Sequence, residues 1–136
     1  MLGKTRRPEM RAILEDYARR ISRSCHTEIA EVRDGDAALK KLDADRAATV
    51  VLLDTAGKSL DSSALAKWLG ELRDRGTRDL IFLCGDADGF PDALRQRAHQ
   101  KLSLSAMTFS HELTRVMLAE QLYRAFAILS GSPYPK

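Results

Sequence analysis

Residues able to do chemistry cluster at the ends of apolar runs. Gly85-x-x-x-Gly89 follows Leu80-Ile81-Phe82-Leu83. Glycines after a buried strand let the main chain approach a ligand closely, and they serve a plain turn equally well. The spacing is not GxGxxG and no Walker lysine follows, so a nucleotide-phosphate cradle is not indicated. Asp86 and Asp88 would repel a phosphate. They can accept hydrogen bonds from a ligand amine, or cap the short helix that starts near Pro91, which is the simpler reading. Leu104-Ser105-Ala106-Met107-Thr108-Phe109 is apolar for a connection, and its amides need partners. It reads as a buried turn, or as a wall that hydrogen-bonds a flat heterocycle through its main chain; composition accommodates both. His111 and Arg115 are four apart and share a helical face at that helix's N-terminal end. An anion or RNA phosphate there would meet amide donors, the helix dipole and Arg115 together, although a histidine beside a cap also serves capping alone. Glu120 and Arg124 repeat the spacing as an intrahelical ion pair.

Asp54 ends a second apolar run and resembles the phosphoacceptor position of receiver domains. Those sites need an acidic pair at another strand end to hold magnesium; none precedes the first helix, so Asp54 reads as a turn residue beside a pocket. Cys25 and Cys84 form no CxxC pair, and His26, His99 and His111 are scattered. No metal site or disulfide framework is expected.

The elements that must position these residues alternate in period. Met10, Ile13, Leu14, Tyr17 and Ile21 share a helical face, with Pro8 suited to the first turn. A short strand is expected at about Glu28–Val32, a turn at Arg33–Asp36 and a short helix at Ala37–Arg46. Thr49–Leu53 suits a strand covered on both faces. Asp54–Leu60 reads as a loop. Asp61 or Ser62 can cap a helix carrying Leu65, Trp68, Leu69 and Leu72, closed by Gly76. Strand Leu80–Leu83, a helix near Pro91–His99 and a strand around Leu102–Leu104 follow. A final helix capped by Ser110 runs to about Leu129, ahead of a nonhelical tail, Gly131–Lys136. Its apolar residues cover more than half the circumference, which suits core packing or a partner subunit. Strand–helix alternation argues a parallel α/β sheet with helices on both faces, and ligands beyond the carboxyl ends of its strands.

The whole chain of 136 residues fits one domain, residues 1–136, and its 44% apolar content excludes a disordered class. No run approaches a membrane span, and Met1–Met10 is polar and basic with no secretory h-region, so a cytoplasmic protein is the expectation. A net charge of +3 from 22 basic and 19 acidic residues is compatible with a polyanion partner without requiring one.

Together these segments resemble one family. Ser105-Ala-Met-Thr-Phe-Ser-His-Glu-Leu-Thr-Arg-Val-Met-Leu-Ala-Glu-Gln-Leu-Tyr-Arg-Ala125 is similar to the C-terminal signature of the ribosomal large subunit methyltransferase H family. Leu2-Gly3-Lys4-Thr5, Glu15-Asp16-Tyr17 with Arg20-Ile21, Leu53-Asp54 with Gly57-Lys58, and Phe82–Phe90 agree. The resemblance implies a SPOUT-class enzyme that methylates N3 of a pseudouridine in helix 69 of 23S rRNA on assembled ribosomes. It implies a parallel-sheet α/β fold with a C-terminal trefoil knot, a homodimer, and S-adenosyl-L-methionine bound by Leu53, Gly85, Leu104, Ser105, Ala106, Met107, Thr108 and Phe109. His111, Arg115 and Tyr134 are implied on the RNA side as the catalytic group. Four departures stand out. Only Met1-Leu2 precede Gly3-Lys4-Thr5, where the family has a first strand. Asp86 replaces the second glycine of a pair. Ser110 stands where proline is common. Gly131-Ser132-Pro133-Tyr134-Pro135 replaces an ending with two histidines. These admit an alternative: a catalytically impaired relative that binds RNA or the ribosome.

Overall fold

Pro8 opens helix α1 (Pro8–Ile21), where a residue without an amide hydrogen costs no helical bond. The computed structural model describes residues 1–86 and 88–134. Ala87 of the Cys84–Gly89 turn, and Pro135 and Lys136 of the expected tail, lie outside the described residues. Helix α2 (Gly35–Asp43) starts at Asp34, whose carboxylate accepts the Ala37 amide 3.0 Å away. Strand β1 (Thr49–Ser59) leads to α3 (Ser62–Asp74), and Asp61 caps α3 by accepting the Ala64 amide at 2.7 Å. Strand β2 (Leu80–Leu83), α4 (Asp92–Arg97), β3 (Gln100–Ser103) and α5 (His111–Ser130) complete the order. Ser110 caps α5 through the Leu113 amide, and Gly131, at φ +73°, ends it in the left-handed conformation.

The three strands are parallel in the order β2-β1-β3. The apolar run of β1 explains the layers, because successive side chains point to opposite faces. Val50 and Leu52 pack with Ala38 and Leu42 of α2 and Leu94 of α4. Val51 packs with Leu65, Ala66 and Leu69 of α3 and Ala125 of α5. A central strand buried on both sides needs apolar residues at consecutive positions, as Thr49–Leu53 provides.

Several expectations are corrected. Glu28–Val32 forms no strand: Val32 alone pairs, in a parallel bridge with Leu2. The segment's groups go elsewhere, since Ala30 accepts from the Met1 amine and the Glu31 side chain accepts from Thr5 and Arg11. Asp54–Leu60 is not a loop. β1 continues to Ser59 after a register shift between Leu53 and Lys58 against β3. Gly57 makes this possible, because a Cβ there would stand 2.7 Å from the backbone carbon of Lys101. Asp86 and Asp88 do not cap α4. Pro91 takes the cap position without a side-chain bond, and the Asp86 carboxylate accepts the Asp88 amide within its own turn. Ile13, expected on the buried face of α1, is 43% exposed, while Leu14 and Ile21 are buried.

Candidate functional site

Of the expected cofactor residues, Leu53, in the middle of β1, and Leu104, just past β3, pack into one buried cluster, and Gly85 follows Cys84 of that cluster. Leu53 pairs in register with Leu102, and Leu52 with Leu83. Chain leaving β2 at Gly85 and β3 at Leu104 therefore emerges on either side of Leu53. Leu53, Cys84 and Leu118 of α5 form one buried cluster, with Leu104, Phe82 and Met1 packed against it. Burial pushes the Cys84 thiol up to about 11, so it stays a neutral apolar wall. Gly85 lies against the Phe90 ring, which a Cβ there would meet at 3.3 Å. The turn beyond it closes through an Asp86–Gly89 bridge and the left-handed Gly89, at φ +77°. Asp86 is thereby absorbed into the turn by its bond to the Asp88 amide.

The Leu104–Phe109 stretch is not a buried turn. Leu104, Ser105 and Phe109 are half-buried, whereas Ala106, Met107 and Thr108 are exposed, Met107 at 72%. Two bonds shape it: the Ser103 hydroxyl donates to the Ser105 carbonyl, and the Met107 amide donates to Ser105 Oγ. Among the described residues, the amides of Ala106, Thr108 and Phe109 have no hydrogen-bond partner. The loop is therefore held in shape by its own side chains, with the amides of the exposed Ala106 and Thr108 open to solvent.

The three residues expected on the RNA side are not brought together. His111 opens α5, half-buried, and its side chain makes no hydrogen bond among the described residues. Arg115, one turn on, is fully buried. Its guanidinium donates to Thr5 Oγ1 at 2.9 Å and to the Leu2 carbonyl, and its Nε has no partner. Tyr134 follows the end of α5 and folds back against it. Its hydroxyl donates to Glu120 at 2.9 Å and lies 3.3 Å from the Tyr17 hydroxyl, and its ring meets Tyr123 edge-on at 4.6 Å. Glu120 and His111 are roughly 14 Å apart along the axis at about 1.5 Å per residue. Burial and the bonds to Tyr17 and Glu120 push the Tyr134 phenol upward, so it remains a neutral donor. Burial works against the Glu120 carboxylate, but hydrogen bonds from Arg124 and Tyr134 hold it below the usual range.

Other expectations resolve simply. Asp54 is no free acceptor: its carboxylate takes the Ala56 amide and bridges Arg95 at 2.8 Å. His99 serves the backbone, with its Nδ1 accepting the Val50 amide. Cys25 and Cys84 are free thiols. Among the described residues, no group of three His, Cys, Asp or Glu could hold a metal, and no helix is long and apolar enough to cross a membrane.

Sequence reasoning passed over three features. Thr5, quoted only within a resembling segment, is buried against Arg115. Tyr17, placed on an apolar face, brings a hydroxyl to Tyr134. A groove of about 650 Å³ shares Leu104 with the loop and runs along Ile13, Tyr17, Leu65, Met117 and Arg124. Tyr17 carried a signal, a hydroxyl on an otherwise apolar helical face, whereas Thr5, in a polar and basic stretch, carried none.

Comparison with known proteins places these features in a family. A family model described as a predicted SPOUT methyltransferase matches residues 1–135. A protein of Pelobacter propionicus named ribosomal RNA large subunit methyltransferase H is 44% identical over 144 residues, covering 98% of this chain and 94% of that protein. Proteins of the same name from Geotalea daltonii and Koribacter versatilis are 41% and 42% identical, over 98% of this chain and 94% and 92% of theirs.

Proposed function

The chain belongs to the SPOUT methyltransferase family, and from that membership we propose that it methylates large-subunit rRNA with S-adenosylmethionine as methyl donor. The finer reading is transfer to N3 of a pseudouridine in helix 69 of 23S rRNA, on assembled ribosomes. It takes the chain as one domain, residues 1–136, with a C-terminal trefoil knot, working as a homodimer in the cytoplasm. One observation carries the proposal. Leu53, Cys84 and Leu104 share one buried cluster where the chain leaves β2 and β3, and among the described residues the amides of Ala106, Thr108 and Phe109 have no hydrogen-bond partner.

These residues fit the cofactor. Leu53 and Leu104 offer an apolar floor, Gly85 admits close approach, and the free amides of Ala106, Thr108 and Phe109 can hydrogen-bond an adenine edge. Ser105 and Met107 set the loop's shape through the bonds at Ser105 Oγ. When bound, the cofactor supplies an electrophilic methyl group, so the protein's work is alignment and exclusion of water.

The residues toward RNA divide that work. His111, at the mouth beside the loop, positions the base and can accept the N3 proton. Arg115 stands one turn behind it with no carboxylate bonded to its guanidinium among the described residues, so its charge favours negative charge developing on the base oxygens. Tyr134 presents its ring and neutral hydroxyl from the α1–α5 groove. The exposed Ile13 and Ile128, on α1 and α5, support a partner subunit on this side.

The test is methyl transfer. Tritiated S-adenosylmethionine with 70S ribosomes from a strain lacking the modification is expected to label 23S rRNA at the helix 69 pseudouridine. Cofactor binding without transfer would favour the impaired RNA-binding relative, a reading that the Asp86 and tail departures motivate.

A further inference from the structure

Arg115 is a fully buried cation to which no carboxylate is bonded among the described residues. Burying a charge without an opposite charge is costly, and such a group persists only where its surroundings over-determine it. Here the surroundings are one short segment. The Leu2 carbonyl and Thr5 Oγ1 accept from the two terminal nitrogens of Arg115. Thr5 is itself 1% exposed and held from both sides. Its amide donates to Glu31 Oε2 at 3.0 Å, and its carbonyl accepts from Arg11. Arg11 closes the ring by donating to Glu31 Oε1 at 3.0 Å. The segment is fastened at both ends, by the Leu2 amide on the Cys84 carbonyl and by the Arg7 amide on Glu112 of the first turn of α5.

We propose that Thr5 is a positioning residue: it holds the Arg115 guanidinium, with no carboxylate bonded to it among the described residues, beneath the substrate side of the site. The inference rests on the reading of Arg115 given above. Its chemical logic is specific. A threonine hydroxyl accepts a hydrogen bond without adding negative charge, whereas a carboxylate would satisfy the guanidinium and cancel the field that it offers to the base. The Nε hydrogen left without a protein acceptor is consistent with a group that is oriented but not neutralised. Among the described residues, the hydrogen bonds of Thr5 run to Arg115, Glu31 and Arg11 and none to the Leu104–Phe109 loop, so its hydrogen-bonding route to the reaction passes through Arg115.

The experiment compares Thr5→Val, which keeps the shape and removes the acceptor, with Thr5→Ser, which keeps the acceptor. Two readouts are taken on the full chain. In low-temperature 15N NMR, the Arg115 Nη–H resonances should be slow to exchange in the parent and in Thr5→Ser, and fast or broadened in Thr5→Val. In methyl transfer to ribosomes, Thr5→Val should lower kcat at least tenfold with KM for S-adenosylmethionine unchanged, and its activity should rise at higher pH than the parent's. Thr5→Ser should recover to within about threefold. An Arg115 signal unaffected by Thr5→Val would overturn the inference, as would Thr5→Ser failing as badly as Thr5→Val with both variants folded. If the parent itself transfers no methyl group, the function reading fails, and the NMR comparison still decides whether Thr5 holds Arg115.

Discussion

A carboxylate that looks catalytic by position can be wholly engaged in holding the chain. Asp54 ends the apolar run of β1, yet it binds the Ala56 amide and Arg95. The Ala56 amide, and then Arg95, hold its carboxyl below the ordinary carboxylate range. A depressed folded-state value stabilises the protein above the unfolded value of about 3.9 and loses that contribution as pH falls through the folded one. Asp54→Asn should therefore cost roughly 1 kcal/mol in urea unfolding at pH 7, with parent and variant converging as pH drops below about 4. Equal destabilisation at both pH values would contradict the ion-pair account. The same residue marks how far a sequence reading reaches. That Asp54 lacked a magnesium-binding acidic pair was legible; that Arg95 takes it was not, because such a partner is set by where α4 packs. Arg115 is the sharper case. Its helical neighbour His111 follows from spacing, but its burial depends on Leu2 and Thr5, more than a hundred residues away in the chain.

At the scale of elements, caps and apolar runs were legible because they are local. Asp61 and Ser110 each bind an amide of the first turn of α3 and α5, as expected, whereas Asp34, expected only within a turn, caps α2, which starts at Gly35 and not at Ala37. Asp61→Ala should cost about 1 kcal/mol by loss of the α3 cap, measured by chemical denaturation. The continuation of β1 was not legible, because its turn-like residues lie on a strand that is irregular only against its neighbour. Gly57 is the hinge of that irregularity. A methyl group there meets the Lys101–Leu102 backbone, which has no flexible end to yield, so Gly57→Ala should destabilise by about 1–3 kcal/mol. Because β3 feeds the Leu104–Phe109 loop, the variant should also weaken S-adenosylmethionine binding in calorimetry. Parent-like stability and binding would show that the bulge does not position the loop. Glu28–Val32 failed as a strand for a related reason: Glu31 looks like a solvent-facing position but is needed inward, on Thr5 and Arg11.

At the scale of the whole molecule, the parallel α/β arrangement was legible from alternating periods, whereas the meeting of Leu53, Cys84 and Leu104 required the strand order β2-β1-β3. The net charge of +3 is modest for the RNA substrate proposed, and many arginines already pair with acids, as Arg11, Arg20 and Arg124 do. Counterion release would then supply less of the RNA affinity than on a strongly basic protein, and the shape of the RNA surface correspondingly more. The apolar side chains left exposed on α1 and α5 favour a second copy, so sedimentation equilibrium should return twice the 15.1 kDa chain mass; a strict monomer would contradict the homodimer. If S-adenosylmethionine is held beside Leu53 by amides of the Gly85 turn and the Leu104–Phe109 loop, a titration of 15N-labelled protein with S-adenosylmethionine will show it. Saturable shifts concentrated on the amides of Gly85, Ala106, Thr108 and Phe109, with the Ala64 amide at the α3 cap little changed, are the predicted result. Shifts centred on the α1–α5 groove, or no saturable binding, would contradict it.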